Sequence, residues 1–189
     1  MRYIILTLLF ASAAALFVGC GGSKTLQGVS EGDIPDWYKQ PPASDQNFFY
    51  AANSQSSQDM QLAVDKATNG ARTAIAQQVD VKVTGLQKKF EEETGKQLDA
   101  QLLQMFSQAT KQVVSTSLSG CSVKEQKIAK DGDMWRAYVL MQYPVGAASE
   151  AMQKQIKNNE LMKTQLQESK MMKDLDQEVQ KYEEGKKQQ

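Results

Sequence analysis

The chain has 189 residues, 22 basic and 22 acidic side chains, two cysteines and no histidine. A neutral balance gives no general attraction to nucleic acid or to an anionic surface, and the commonest general base and metal ligand is missing. Zinc, iron–sulfur and Cys/His nucleophile sites are therefore not expected, and neither is any other metal or cofactor.

The segment 1–19 carries one charge, at Arg2, and is then apolar from Tyr3 to Val18 apart from Thr7 and Ser12. It is shorter than the about 20 residues that a membrane-spanning helix needs. A charge, an apolar run and a small residue, Gly19, before the cut make a secretory signal peptide. The stretch "FVGC" that ends it resembles the bacterial lipobox, with Phe17 in place of the usual leucine. That resemblance implies cleavage before Cys20 and acylation of its thiol and amine with palmitate-type chains. Two or more chains give stable anchoring where one is marginal. Gly21 rather than aspartate after the cysteine points, by analogy with enteric sorting, to the outer membrane. An acylated Cys20 leaves Cys121 unpaired, and it is expected as a small buried side chain in a strand.

Residues 20–32, mostly "GGSKTLQGVSEG", are rich in glycine and serine and read as a flexible tether, with a reach of roughly 20 Å. A domain is expected over 33–144. It opens with "DIPDWYKQPP", where Pro35, Pro41 and Pro42 exclude a regular helix or a central strand. Trp37 and Tyr38 beside them read as part of a strap packed on the domain; the alternative is an exposed aromatic binding patch.

The run from Asn47 to Asn53 reads as a strand. A helix follows, capped by Ser56 or Ser57, with Met60, Val64, Ala67, Ala71 and Ile75 on one face. Its alanines suggest close packing on a sheet, and such an approach would explain Gly70. The alternation Val79, Val81, Val83 predicts a strand bent at Gly85, where the apolar phase shifts to Leu86 and Phe90. Leu98, Leu102, Phe106, Ala109 and Val113 mark a second helix. Asp131-Gly132 signals a type I′ hairpin, and its second strand, Met134 to Tyr143, is apolar on both faces and so central. The fold expected is α+β, a two-layer domain with a mainly antiparallel sheet of about four strands and two helices on one face.

From Val145 to the end there is no proline, and glycine occurs only at Gly146 and Gly185. This predicts one long charged C-terminal helix over 145–189, about 60 Å if unbroken. Met172, Leu175, Val179 and Tyr182 restore heptad spacing. Pairing with a partner and a solvated helix docked by its first half are the two readings.

The runs "IPDWYKQPP", "LAVDKATNGARTAIAQQV", "VKVTGLQKKFEEETG" and "VVSTSLSG" resemble the Lpp-twenty lipoprotein family over roughly Ile34 to Pro144. The resemblance implies an outer-membrane lipoprotein with a small α/β domain, related to proteins some of which are associated with flagellar basal-body rings. It carries over no catalytic residue, only the acylated cysteine, onto Cys20. The carboxylates Asp59, Asp65, Asp80 and Asp131 each sit where a cap, a solvated face or a turn explains them, so no enzymatic activity is expected. The expected role is a membrane-anchored structural or interaction module. Its partners are the bilayer, through Cys20, and other envelope proteins or further copies of itself; no nucleic acid is expected. The alternative is a binding protein for a small apolar or amphipathic ligand, using Trp37, Tyr38 and the sheet face.

Overall fold

The computed structural model describes residues 33–95 and 98–187. The signal peptide, Cys20 and the tether lie outside the described residues. The elements are α1 (Asp36–Lys39), β1 (Phe48–Ser57), α2 (Met60–Thr94), α3 (Ala100–Gly120), β2 (Ser122–Asp131), β3 (Met134–Pro144), α4 (Val145–Lys157), α5 (Glu160–Leu166) and α6 (Lys170–Lys187). The sheet is antiparallel with order β1-β3-β2, so three strands stand where about four were expected.

The missing strand is the second half of α2. This helix runs 35 residues without interruption, about 52 Å. Its buried positions Ala63, Ala67, Ala71, Ile75, Val79, Val83, Leu86 and Phe90 keep a spacing of three or four to the end. Val79 and Val83 are four apart and buried, while Val81 between them is 73% exposed. A strand would have put all three on one face. The β-branched alternation is a coincidence inside a longer helical stripe, and helix packing overrides the weak strand preference of valine. Gly85 is an ordinary mid-helix position with open space around it, not a bulge.

Asp59 is the N-cap of α2, its carboxylate accepting from Leu62 N at 2.7 Å. Neither expected cap is used: Ser57 Oγ accepts from Asp59 N, and Ser56 Oγ has no hydrogen-bond partner among the described residues. The alanine face packs on β1 and β3. At Gly70 the approach is so close that a Cβ would meet the Asn53 side chain at 2.6 Å. β3 is central and pairs along its length with both neighbours. In the hairpin, positive φ falls on Gly132 and on no non-glycine residue. That is the II′ pattern, not the I′ turn expected.

The expected C-terminal rod is three helices that fold back. Asn159 caps α5 by accepting from Met162 N at 3.0 Å. Ser169 Oγ accepts from Met172 N at 3.1 Å as α6 begins. Ala148, Met152, Ile156, Met162, Leu166, Met171, Met172 and Leu175 join the same core cluster as Ala51, Phe106 and Met141. The helical side is therefore α2 flanked by α3 and by α4–α6.

Because Gly85 has nothing near it and sits inside a helix, Gly85→Ala is expected to raise stability by about 1 kcal/mol. Gly70→Ala is expected to lower it, because Asn53 must move. Urea unfolding of the two variants checks both signs, and a destabilised Gly85→Ala would contradict the continuous helix.

Candidate interaction surfaces

The two faces of the sheet differ. Trp135, Ala137, Val139, Met141 and Tyr143 of β3 point to the helices and belong to the core or pack on it. Arg136, Tyr138, Leu140 and Gln142 alternate onto the helix-free face. The strap crosses that face. A single helical turn, α1, fits between the prolines because Pro35 is its N-cap and Gln40 ends it before Pro41. Tyr38 lays its ring on Tyr138 at 4.9 Å, edge to face, and its hydroxyl hydrogen-bonds with Ser54 Oγ at 3.0 Å. Trp37 stands edge-on to Tyr38 at 6.3 Å. Further along, Phe48 and Tyr50 are neighbours, and the Lys124 ammonium lies 4.6 Å from the Tyr50 ring. The two strap aromatics are thus half-buried packing groups on the sheet. They line neither of the two grooves described below.

Past the prolines, the strap fastens the start of β1. Asp45 Oδ1 accepts from Asn47 N and Phe48 N at 2.7 and 2.8 Å, and Asp45 N donates to Phe48 O at 3.0 Å. These backbone hydrogen bonds hold the Asp45 carboxyl below its ordinary pKa. Ser44 Oγ accepts from Tyr50 N at 2.9 Å, and Gln78 of α2 donates to Tyr50 O at 2.9 Å.

The heptad residues of the C-terminal segment do not form a free surface. Met172, Leu175 and Val179 are 4%, 1% and 4% exposed, packed within the chain. Tyr182 lies against Gly146, where a Cβ would fall on the tyrosine Cβ and ring, and it carries the Lys186 ammonium 4.0 Å from its ring centre. Polar ties set the docking. Glu93, at the end of α2, accepts from Lys170 N at 2.6 Å and Met171 N at 3.1 Å and so caps α6 from another helix. The hydrogen bond from Lys170 is the main reason its carboxyl stays below the usual glutamate range. Glu178 Oε2 accepts from Lys82 Nζ and from Ser149 Oγ, both at 2.7 Å, which joins α6 to α2 and α4. Burial pushes the Glu178 carboxyl up, but these hydrogen bonds and the charges of Lys82 and Lys89 outweigh it, and the net direction is down.

Two grooves open on the helical side. One, of about 320 Å³, lies between α3 and the α4–α5 joint and is lined by Met105, Gln108, Gln112, Gln155, Asn158 and Met162, among others. The other, of about 380 Å³, is lined by Ile156, Lys157, Lys163, Gln167, Met172 and Asp176. Cys121 is half-buried at the junction of α3 and β2, one residue short of the strand expected to hold it. Its thiol donates to Ser117 O at 3.1 Å. Burial pushes its pKa up, with Arg72 partly opposing.

Asp59 is a cap, Asp65 accepts from Gln61 at 2.9 Å, and Asp131 holds Arg136 through Oδ2 at 2.6 and 2.9 Å. Asp80 is exposed on α2. Among the described residues no group of three or more histidine, cysteine, aspartate or glutamate side chains is placed to hold a metal ion, and no helix is long and apolar enough to cross a membrane. The C-terminal docking was missed in the sequence, although Asn159 and Ser169 are good N-cap residues and signal the breaks.

Truncating a fully buried leucine removes its transfer energy and leaves a cavity. Leu175→Ala is therefore expected to lower global stability by about 2–4 kcal/mol in chemical unfolding. An unchanged midpoint would mean that α6 is not part of the fold.

Compared with known families, residues 35–143 match the one described as LPP20 lipoprotein. No curated protein and no solved structure matches the chain.

Proposed function

The chain belongs to the LPP20 lipoprotein family, and from that premise we propose that it is a lipid-anchored structural or protein-interaction module of the outer membrane. The observation that carries the reading is the order of parts along the chain. A signal-like segment ending in "FVGC" is followed by a glycine- and serine-rich stretch, and then by the family region over 35–143. Acylation of Cys20 fixes the N-terminus in the bilayer, and the segment 21–32 is the leash. Confinement to a surface raises the concentration of the domain for anything else anchored there, so modest contacts suffice for assembly.

The folded part supports a binding role more than a chemical one. Asp59 is occupied as a helix cap and Asp131 in an ion pair with Arg136, and the half-buried thiol has a raised pKa. A role at the flagellar base is the narrower version of this reading, resting on the family resemblance. It predicts that cells lacking the protein lose motility.

Metabolic labelling with palmitate tests the anchor. The wild-type chain is expected to take up label and to fractionate with outer membranes. Cys20→Ala is expected to take up none and to accumulate with its leader uncut. Label retained in that variant would refute the assignment.

A further inference from the structure

The sheet has two edges, and the chain treats them differently. β2 carries Lys124, Glu125, Lys127 and Lys130, and its register slips between Val123 and Glu125. Charges and a bulge are the usual protection of an exposed edge against pairing. β1, "FFYAANSQSS", has no charge, no proline and no break in its register with β3.

Its outward-facing backbone groups can be assigned by alternation. Asn47 O accepts from Val145 N on the β3 side, while the N–H and C=O of Phe48 and Tyr50 bond to Asp45, Ser44 and Gln78 on the other side. In an antiparallel ladder both groups of a residue point the same way and alternate along the strand. The outward set is therefore Phe48, Tyr50, Ala52, Ser54 and Ser56. The strap and α2 satisfy the first two residues. Among the described residues, the N–H and C=O of Ala52, Ser54 and Ser56 have no partner.

We propose that the Ala52–Ser56 segment of β1 pairs with the same segment of a second copy of this chain. The two copies meet antiparallel about a two-fold axis at Ser54, joining two three-stranded sheets into one. Ser54 faces Ser54, and Ala52 faces Ser56 of the other copy. Every outward N–H then meets a C=O, and the side chains brought together are small and uncharged. The segment therefore complements itself, as an isologous contact requires. The chain as a whole is neutral, so no net repulsion opposes the approach. This names a partner for the interaction role proposed above and rests on that reading only for the surface confinement that favours pairing.

The test is cysteine crosslinking of the full chain in membranes. Across a hydrogen-bonded antiparallel pair the Cα atoms are about 5.5 Å apart, inside the about 4.4–6.8 Å that a disulfide spans. Under mild oxidation Ser54→Cys is expected to give a disulfide-linked species of twice the chain mass. The wild type, with Cys121, and Gln126→Cys on the β2 edge are expected to give at least tenfold less. Ser54→Pro removes an outward donor and keeps the ladder to β3. It is expected to halve the particle mass of the detergent-solubilised chain with its circular dichroism unchanged. If that variant misfolds, the crosslink alone decides. No Ser54→Cys dimer above the wild-type level, equal yields from both edges, or a crosslink to a different protein would each overturn the proposal. A chain that stays palmitate-labelled but fails to crosslink would leave the anchoring intact and remove the pairing.

Discussion

The structure depends on a mismatch of lengths. The apolar stripe of α2 continues through 35 residues, about 52 Å, while the ten-residue strand β1 is about 33 Å long. Ala63, Ala67 and Ala71 face β1 and β3; Val83, Leu86 and Phe90 extend past them. An exposed stripe of that kind is unfavourable, and the rest of the chain is arranged to cover it. α3 returns along α2 with Leu102, Phe106, Ala109 and Val113 buried. β3 then delivers α4 to the same side, and α5 and α6 close over it. What looked like an appendage to a small α/β domain completes the core that α2 leaves open.

Covering a stripe by apolar contact alone leaves the register of the covering helix loose. The polar ties around α6 remove that freedom. Glu93 fixes where α6 begins, and Glu178 fixes its rotation through Lys82 and Ser149. Gly146 lets Tyr182 seat against α4. A buried or half-buried charge is retained only where such partners satisfy it, so the same groups that cost desolvation specify the docking. The apolar stripe of α2 is consequently covered, with two grooves left on the helical side, and the strap lies on the opposite sheet face. Among the described residues, the β1 edge keeps outward backbone groups without a partner and lacks the charges and bulge that mark the β2 edge.

The parts of the fold that were legible were those with a local signal. The position of the Asp131-Gly132 turn (though not its type), the double-faced apolar run of β3 and the alanine face of α2 all declared themselves, and the reason for Gly70 followed. Val79, Val81 and Val83 misled because period two and period four coincide at alternate residues, and only burial over the next two turns separates them. The C-terminal rod misled because neither proline nor glycine interrupts it. The breaks come instead from Asn159 and Ser169, whose side chains compete for backbone donors and restart the helix. Heptad spacing at Met172, Leu175 and Val179 was real, but it was answered within the chain.

The central claim is that α6 and the second half of α2 are one cooperative unit with the sheet. Native-state hydrogen exchange on the full chain reads this directly, since residues that open together share one opening free energy. The amides of Ile75–Phe90, Met171–Val179 and Ala137–Met141 are predicted to exchange only through global unfolding, with matching denaturant dependence. Rapid exchange at Met171–Val179 while β3 stays protected would contradict it.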